Sequence, residues 1–390
     1  MPDTASARSR APRRHRTRWH GATVRVRASP LLAGTVAAVL AGCDSPTEPI
    51  LPPLDDLPAD LATLELVAEG RPTAPYVILE VRDDEGFGGF VAVNADGRPV
   101  WFFRTESSPF SFTRRANGNF VLLDSDRGLV EVSPDGEVVR TLAQEDRPGR
   151  RIHHDILATE RNTVLFLAEE WRAHGDTVLN GEAIWEWTPE SGEVMKRWSA
   201  FDHLDPDTDH GGRSTADDWL HANSLSRGPR GNIVVSLHFL NQVISITPDF
   251  QGIEWRVGGT NATTPIDDPF TGQHTAVEIA TDRLLVFDNG FERSDERYSR
   301  AAEYQIEADG ARLVWEWRPE RDNWARVISS ARRLPNGNTL VAFGVPKDLP
   351  PGSTGPIEVY EVTRDGNVVW HLAVDDRVDS MYRATPIFDF

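Results

Sequence analysis

The sequence predicts an all-β protein, a six-bladed β-propeller with four-stranded antiparallel blades. A phrase that returns six times, a second phrase inside most of the same units, and a composition rich in turn formers carry that prediction. The first phrase reads "NADGRPVWFF" at 94–103, "SPDGEVVRTL" at 133–142, "TPESGEVMKRW" at 188–198, "TPDFQGIEWRV" at 247–257, "EADGARLVWEW" at 307–317 and "TRDGNVVWHL" at 363–372. Each is an acidic-Gly turn followed by an alternating strand that usually carries Trp; Gly suits the turn because it tolerates positive φ. Its glycines, 97, 136, 192, 252, 310 and 366, are 39 to 60 residues apart, which is blade spacing rather than hairpin spacing.

The second phrase precedes the first: "RRANGNFVLLD", "ATERNTVLFLA", "SRGPRGNIVVSL", "ATDRLLVFD" and "RRLPNGNTLVAFG". An Asn-Gly or similar turn links a short strand to a strongly apolar one. Each unit therefore reads as short strand, turn, apolar strand, loop, third strand, turn and Trp-bearing strand, the order of a propeller blade. A β-sandwich would not repeat the whole four-strand phrase. The first unit, 75–104, is one strand short, and the apolar terminal "SMYRATPIFDF" is placed to supply it and close the ring. With 30 Gly, 27 Pro, 12 Trp and 17 Phe in 390 residues, turns are plentiful and a large core is affordable. The Trp residues at 101, 187, 255, 315, 317 and 370 read as core between blades.

The N-terminus reads as targeting. Residues 1–42 hold eight Arg and one Asp, a charge of +7. An Arg-rich stretch precedes the apolar run "PLLAGTVAAVLAGC", which is too short to span a bilayer. Leu40-Ala41-Gly42-Cys43 resembles a bacterial lipobox, so residues 1–43 read as a lipoprotein signal peptide with Cys43, the chain's single cysteine, as the lipidated residue. The expected location is exported, anchored by lipid to the cell envelope on its periplasmic face. Residues 44–72, rich in Pro and acidic side chains, read as an extended linker, and residues 73–390 as the propeller. With the chain at −19 overall, removing residues 1–42 leaves −26. So acidic a body argues against nucleic acid as a partner.

Histidines mark the candidate site. Aligned on the inner turn, units three, four and five place His154, His221 and His274 at the same end of the innermost strand, where blades converge on the channel. His153 and His154 are adjacent, so strand alternation lets only one of them face the channel, and the sequence does not choose. His221 and Asn223 of "DWLHANS" are two apart, the strand period, and are expected to point the same way. His238 sits in the second strand of the fourth unit and could reach in from behind. Asp155 and Asp218 are nearby carboxylates, which keeps a metal site open at this point. Asn223 with imidazole N–H groups suits an oxyanion instead. Trp219 and Trp324 are candidates to stack on an aromatic ligand at the mouth.

The segments "DWLHANSLS", "QHTAVEI", "FDNG" and "RYSRAAEYQI…LVWEWRP" resemble the bacterial aryl-sulfate sulfotransferases, in order, over some three-quarters of the chain. The resemblance implies transfer of a sulfuryl group from a phenolic sulfate ester to a phenol without the nucleotide donor PAPS, in two steps through an enzyme sulfohistidine. Absence of a Walker-type loop agrees with that route. Carried over by motif, the nucleophile falls on His274 and acid–base work on His221. Sulfate holding falls on His153 or His154 and on Asn223. Neither cofactor nor metal is implied. The family has Arg in the strand after H-x-N, in a phrase like S-x-R, where this chain has His238 in "SLHFLN"; His238 is then the expected sulfate ligand. The expected function is an aryl-sulfate sulfotransferase acting on small aryl sulfates and phenols. The alternatives are a metal-dependent propeller hydrolase and a non-catalytic propeller that binds a ligand or partner.

Overall fold

The computed structural model describes residues 51–390 apart from residues 84, 145–150, 322 and 345–352. Cys43 and the signal-like segment lie outside the described residues. A helical turn, α1 (Ala59–Ala62), and an edge strand, β1 (Leu66–Gly70), come first. Blade one follows with β2 (Tyr76–Arg82), β3 (Gly89–Val93) and β4 (Pro99–Arg104). Blade two is β5 (Pro109–Arg114), β6 (Phe120–Asp124), β7 (Gly128–Val132) and β8 (Val138–Ala143). Blade three is β9 (Ile152–Ala158), β10 (Val164–His174), β11 (Thr177–Thr188) and β12 (Glu193–Ser199). Blade four is β13 (Ala222–Arg227), β14 (Ile233–Leu237), β15 (Gln242–Ile246) and β16 (Ile253–Val257). Blade five is β17 (His274–Ala280), β18 (Arg283–Asp288), β19 (Arg300–Glu307) and β20 (Gly310–Trp317). Blade six is β21 (Ser330–Arg333), β22 (Thr339–Phe343), β23 (Glu358–Val362) and β24 (Val368–Val374), and β25 (Ser380–Ile387) ends the chain.

The six sheets are the expected antiparallel blades, and β25 pairs with β2 as the inner strand of blade one, so the C-terminus closes the ring. The repeated turns use the predicted chemistry: Gly97, Gly136, Gly192 and Gly366 all have φ between +76° and +86°. In the fourth unit the left-handed position falls on Phe250 (φ +64°) rather than on Gly252. Trp101, Trp187, Trp255, Trp315, Trp317 and Trp370 are buried in apolar clusters between blades, as the repeat required.

The body starts earlier than Thr73. β1 adds a fifth strand to the outer edge of blade six by pairing with β24. Leu61 is buried, and Leu57, Leu64 and Leu66 pack against the same cluster. Leucines spaced among the prolines and acids of this segment give it an apolar face, and the exposed edge of β24 gives its backbone hydrogen-bond partners.

The channel is plugged below its upper mouth. Arg383 of β25 meets Asp155 of β9 at 2.7 Å and donates to the Asn223 carbonyl oxygen at 2.7 Å. Asp155 also accepts from Ser111 Oγ at 2.6 Å and from the Leu225 N–H at 2.7 Å. This one pair ties blades one, two, three and four across the axis. Asp155 is therefore a structural carboxylate.

Candidate active site

Each inner strand of blades one to five carries a register shift near its upper end. The shifts fall between Leu79 and Val81 opposite β25, between Pro109 and Ser111, between Phe166 and Leu167 opposite β9, between Ala222 and Ser224, and between His274 and Val277. A bulge inserts one unpaired residue and re-aims the side chains around it. At the same level His154 (φ +56°), His221 (φ +52°), Thr275 (φ +50°), Ile328 (φ +58°) and Ser329 (φ +83°) are left-handed. Such conformations cost about 1–3 kcal/mol each for non-glycine residues and concentrate at functional sites.

The bulged ends surround a cavity of about 590 Å³ at the channel mouth. Its walls hold four imidazoles, His154, His221, His238 and His274, and three guanidinium groups, Arg82, Arg213 and Arg326. Phe110, Phe239, Phe291 and Tyr382 supply an aromatic lining, and no carboxylate is among the lining residues. The imidazoles form a chain of ring contacts: His154 to His221 at 4.7 Å, His221 to His238 at 5.4 Å and His238 to His274 at 4.9 Å between centroids. Trp219 and Trp324 are buried elsewhere and do not reach the cavity; Trp219 instead donates to the Asp209 carbonyl oxygen at 2.6 Å.

His274 is held in one tautomer. Its Nδ1 donates to Asn289 Oδ1 at 2.8 Å, and the Asn289 amide is oriented by donating to the Ala325 and Ile328 carbonyl oxygens at 2.7 and 3.0 Å. The proton is therefore on Nδ1, and Nε2 keeps its lone pair, where it accepts a long hydrogen bond of 3.2 Å from the Ile328 N–H. Burial pulls the His274 pKa down to about 3, with the positive potential of His221 and Arg383 acting the same way. His274 is neutral at ordinary pH. Asn289 belongs to the "FDNG" segment, which the sequence displayed without assigning it a role.

His221 has a different partner. Its Nδ1 contacts Asp218 Oδ2 at 2.5 Å, so the carboxylate fixes the orientation of the ring. Asp218 thus serves as an orienting carboxylate and not as one of a ligand cluster. Among the described residues no three His, Cys, Asp or Glu side chains are grouped to hold a metal.

The structure resolves the adjacent pair in blade three. His154 lines the cavity, while His153 turns away to meet Glu182 Oε2 at 2.9 Å through Nε2. Burial opposes charging His153, but Glu182 outweighs it and holds the pKa above the usual value. His153 Nδ1 and His154 Nδ1 are 2.8 Å apart, so when His153 is protonated its Nδ1–H donates and His154 carries its own proton on Nε2. Burial, followed by the potential of His221 and His153, puts the His154 pKa well below the usual value. His154 is then neutral, with its proton on Nε2.

Two expected ligands are reassigned. Asn223 is fully buried, donates from Nδ2 to the Gln273 carbonyl oxygen at 2.9 Å, and does not line the cavity. The strand period fails for His221 and Asn223 because the first is left-handed and the second sits in the bulge. Asn223 braces the residue before His274 instead of holding an anion. His238 does line the cavity, but its Nε2 accepts from Arg213 Nη1 at 2.8 Å, and burial with the neighbouring cations keeps it neutral. Arg213 lies in the non-repeating connection 203–221, where no periodic signal marks it.

Fold and site together define a β-propeller with a histidine-centred, arginine-bearing pocket at one mouth. The chain matches the family model for Arylsulfotransferase (ASST) over residues 66–383, and it belongs to that family. Family membership points to a sulfotransferase-type function. No curated protein sequence matches the chain. Among solved structures, a protein of unknown function from Bacteroides caccae is similar at 16% identity with a TM-score of 0.54, covering 81% of this chain and all of that one. A chain of a nidogen/laminin complex gives 8% identity and a TM-score of 0.50 over 81% of this chain and 99% of that one. At such identities these likenesses speak for the propeller fold alone.

Proposed function

We propose that the protein is a PAPS-independent aryl-sulfate sulfotransferase that works in two steps through sulfo-His274. The observation that carries this reading is the fixed tautomer: a buried imidazole, neutral at ordinary pH and protonated on Nδ1, among the lining residues of a cationic pocket that has no carboxylate in its lining. A neutral imidazole is a competent nucleophile, and the covalent route splits one hard transfer into two.

In the first step Nε2 of His274 attacks sulfur, the N–S bond forms, and the S–O bond to the aryl oxygen breaks. The electron pair leaves with the phenolate, which takes a proton from Nε2 of the His221–Asp218 dyad. In the second step an acceptor phenol gives its proton back to His221. Its oxygen then attacks sulfur, and the N–S bond breaks to return neutral His274. The Nε2–H of His154 and the arginines serve the sulfuryl oxygens, whose charge is spread in the transition state. Phe110, Phe239, Phe291 and Tyr382 suit aromatic rings of donor and acceptor.

The test uses the purified protein with a nitrophenyl sulfate, with and without phenol. Phenol should accelerate nitrophenol release, and mass spectrometry after donor alone should find a sulfo-adduct on His274. Release that ignores phenol, with no adduct, sinks the proposal. A lipid anchor at Cys43 with a periplasmic location belongs to the same reading and is supported by the lipobox. Metabolic labelling with palmitate should mark the protein, and Cys43→Ser should abolish the label.

A further inference from the structure

We propose that Arg213, seated on His238, is the cation that grips the oxygens of the transferring group, and that His238 is its positioning residue. The inference rests on the sulfotransferase reading for the identity of the anion, but the clamp itself is defined by geometry.

The Arg213 guanidinium lies between two aromatic rings, 4.3 Å from the Phe291 centroid and 5.1 Å from that of Phe239. Its Nη1 donates to His238 Nε2 at 2.8 Å, and its Nη2 donates to the His238 carbonyl oxygen and to Asn241 Oδ1. Those contacts fix the plane of the group. They leave the second Nη1 proton and the Nε–H, which is buried without a partner.

Among the described residues no carboxylate lies within ion-pair distance of Arg213. The fully buried arginines of this fold are treated differently: Arg115 is paired with Glu131, Arg300 with Asp288, and Arg383 with Asp155. Glu292 acts on Arg213 only from a distance, through Asn241, which donates to Glu292 Oε1 at 2.8 Å and accepts from Arg213; a part-buried guanidinium rigidly held without a direct ion pair is arranged for an anion from outside. Burial lowers its pKa only to about 10, so it stays charged at neutral pH. Arg326 stands 4.9 Å from the same Phe291 ring and also has no carboxylate among the described residues, which doubles the local positive charge.

The connection that delivers Arg213 is built for close approach. A Cβ on Gly211 would lie 1.9 Å from the Phe239 carbonyl oxygen, so the chain can pass against the turn after β14 only with glycine there. His238 has its Nε2 occupied by Arg213 and is kept neutral, so that nitrogen is not an anion donor. The ring contact of 4.9 Å between His238 and His274 places the assembly beside the nucleophile.

The experiment measures binding of benzenesulfonate, which cannot transfer its sulfur group, by calorimetry on the full-length protein. KM and kcat for nitrophenyl sulfate are measured alongside. Arg213→Gln should weaken benzenesulfonate about thirtyfold, as expected for loss of a charged hydrogen bond, and should raise KM. Arg213→Lys, which keeps the charge but loses the fork, should fall between. His238→Leu should approach Arg213→Gln, whereas His238→Gln, whose amide oxygen can accept from Arg213, should recover most of the lost affinity. Unchanged binding in Arg213→Gln overturns the proposal, as does wild-type protein that fails to bind the probe. Equal losses in His238→Gln and His238→Leu overturn it too, because His238 would then touch the anion itself. Binding that depends on Arg213, without any sulfuryl transfer by the wild type, supports the clamp and refutes the transferase reading.

Discussion

Replacing His274 with Asn should change how stability responds to acid, independently of any activity. An unfolded histidine has a pKa near 6.5, whereas folded His274 is held down to about 3. Between those values the unfolded chain binds a proton that the folded chain refuses, so acidification favours unfolding. Integrating that difference from pH 6.0 to pH 4.5 gives a loss of about 2 kcal/mol from this one residue. His154 and His238, also depressed, add losses of the same sign. Glu80 works the other way: burial raises its pKa to about 8, so acidification through this window favours the folded state. His153, with its pKa raised, gives a stabilising contribution that is nearly complete well below pH 6.5 and adds little slope in this window; it is lost as pH rises through the folded pKa. The wild type and His274→Asn share all of these except His274, so their difference isolates it. Urea unfolding at pH 6.0 and 4.5 should therefore show the wild type losing about 2 kcal/mol more than the variant. Parallel losses in the two proteins would refute the claim that burial keeps His274 neutral.

Asn289→Ala should leave His274 free to adopt the wrong tautomer and should lower kcat by about a hundredfold, with circular dichroism unchanged. His221→Asn should slow aryl sulfates with poor leaving groups far more than nitrophenyl sulfate, because only the former need a proton on the departing oxygen; a uniform loss across a leaving-group series would contradict an acid role. Removal of residues 51–70 should expose the β24 edge and the Leu61 seat, lowering the urea midpoint while sparing kcat. Chelator should leave phenol-dependent sulfate transfer unchanged, and its abolition would favour a metal-dependent hydrolase.

The fold was legible because a propeller states its blade six times, and turn chemistry and Trp spacing survive the variation between copies. The closing strand was legible for the same reason, since unit one lacked a piece that the C-terminus could provide. Residues 51–70 were misread because composition averages over Leu57, Leu61, Leu64 and Leu66, which together make one apolar face. Within the site, blade-to-blade alignment brought out His154, His221 and His274. It could not choose between His153 and His154 or place Asn223, since both questions turn on bulges and left-handed residues that suspend strand alternation. Arg213 was invisible to a method built on repeats, because it comes from a connection with no counterpart in other blades.

Four imidazoles in consecutive contact cannot all carry the same charge or the same role, and the structure divides the work by giving each a different neighbour. Asn289 offers His274 a neutral acceptor, so the proton stays on Nδ1 and Nε2 keeps the lone pair that the proposed attack uses. Asp218 offers His221 a negative one, which orients the ring for the acid role proposed for it. His153 meets His154 Nδ1 to Nδ1, so the state of one ring sets the tautomer of the other. Arg213 donates to His238, which makes that ring a seat for a cation. Exchanging any one of these neighbours should alter the role of its histidine more than its position. In the proposed mechanism the motif histidines mark the place of the chemistry, and residues outside the shared repeat, Asp218 and Arg213 among them, assign each histidine its step.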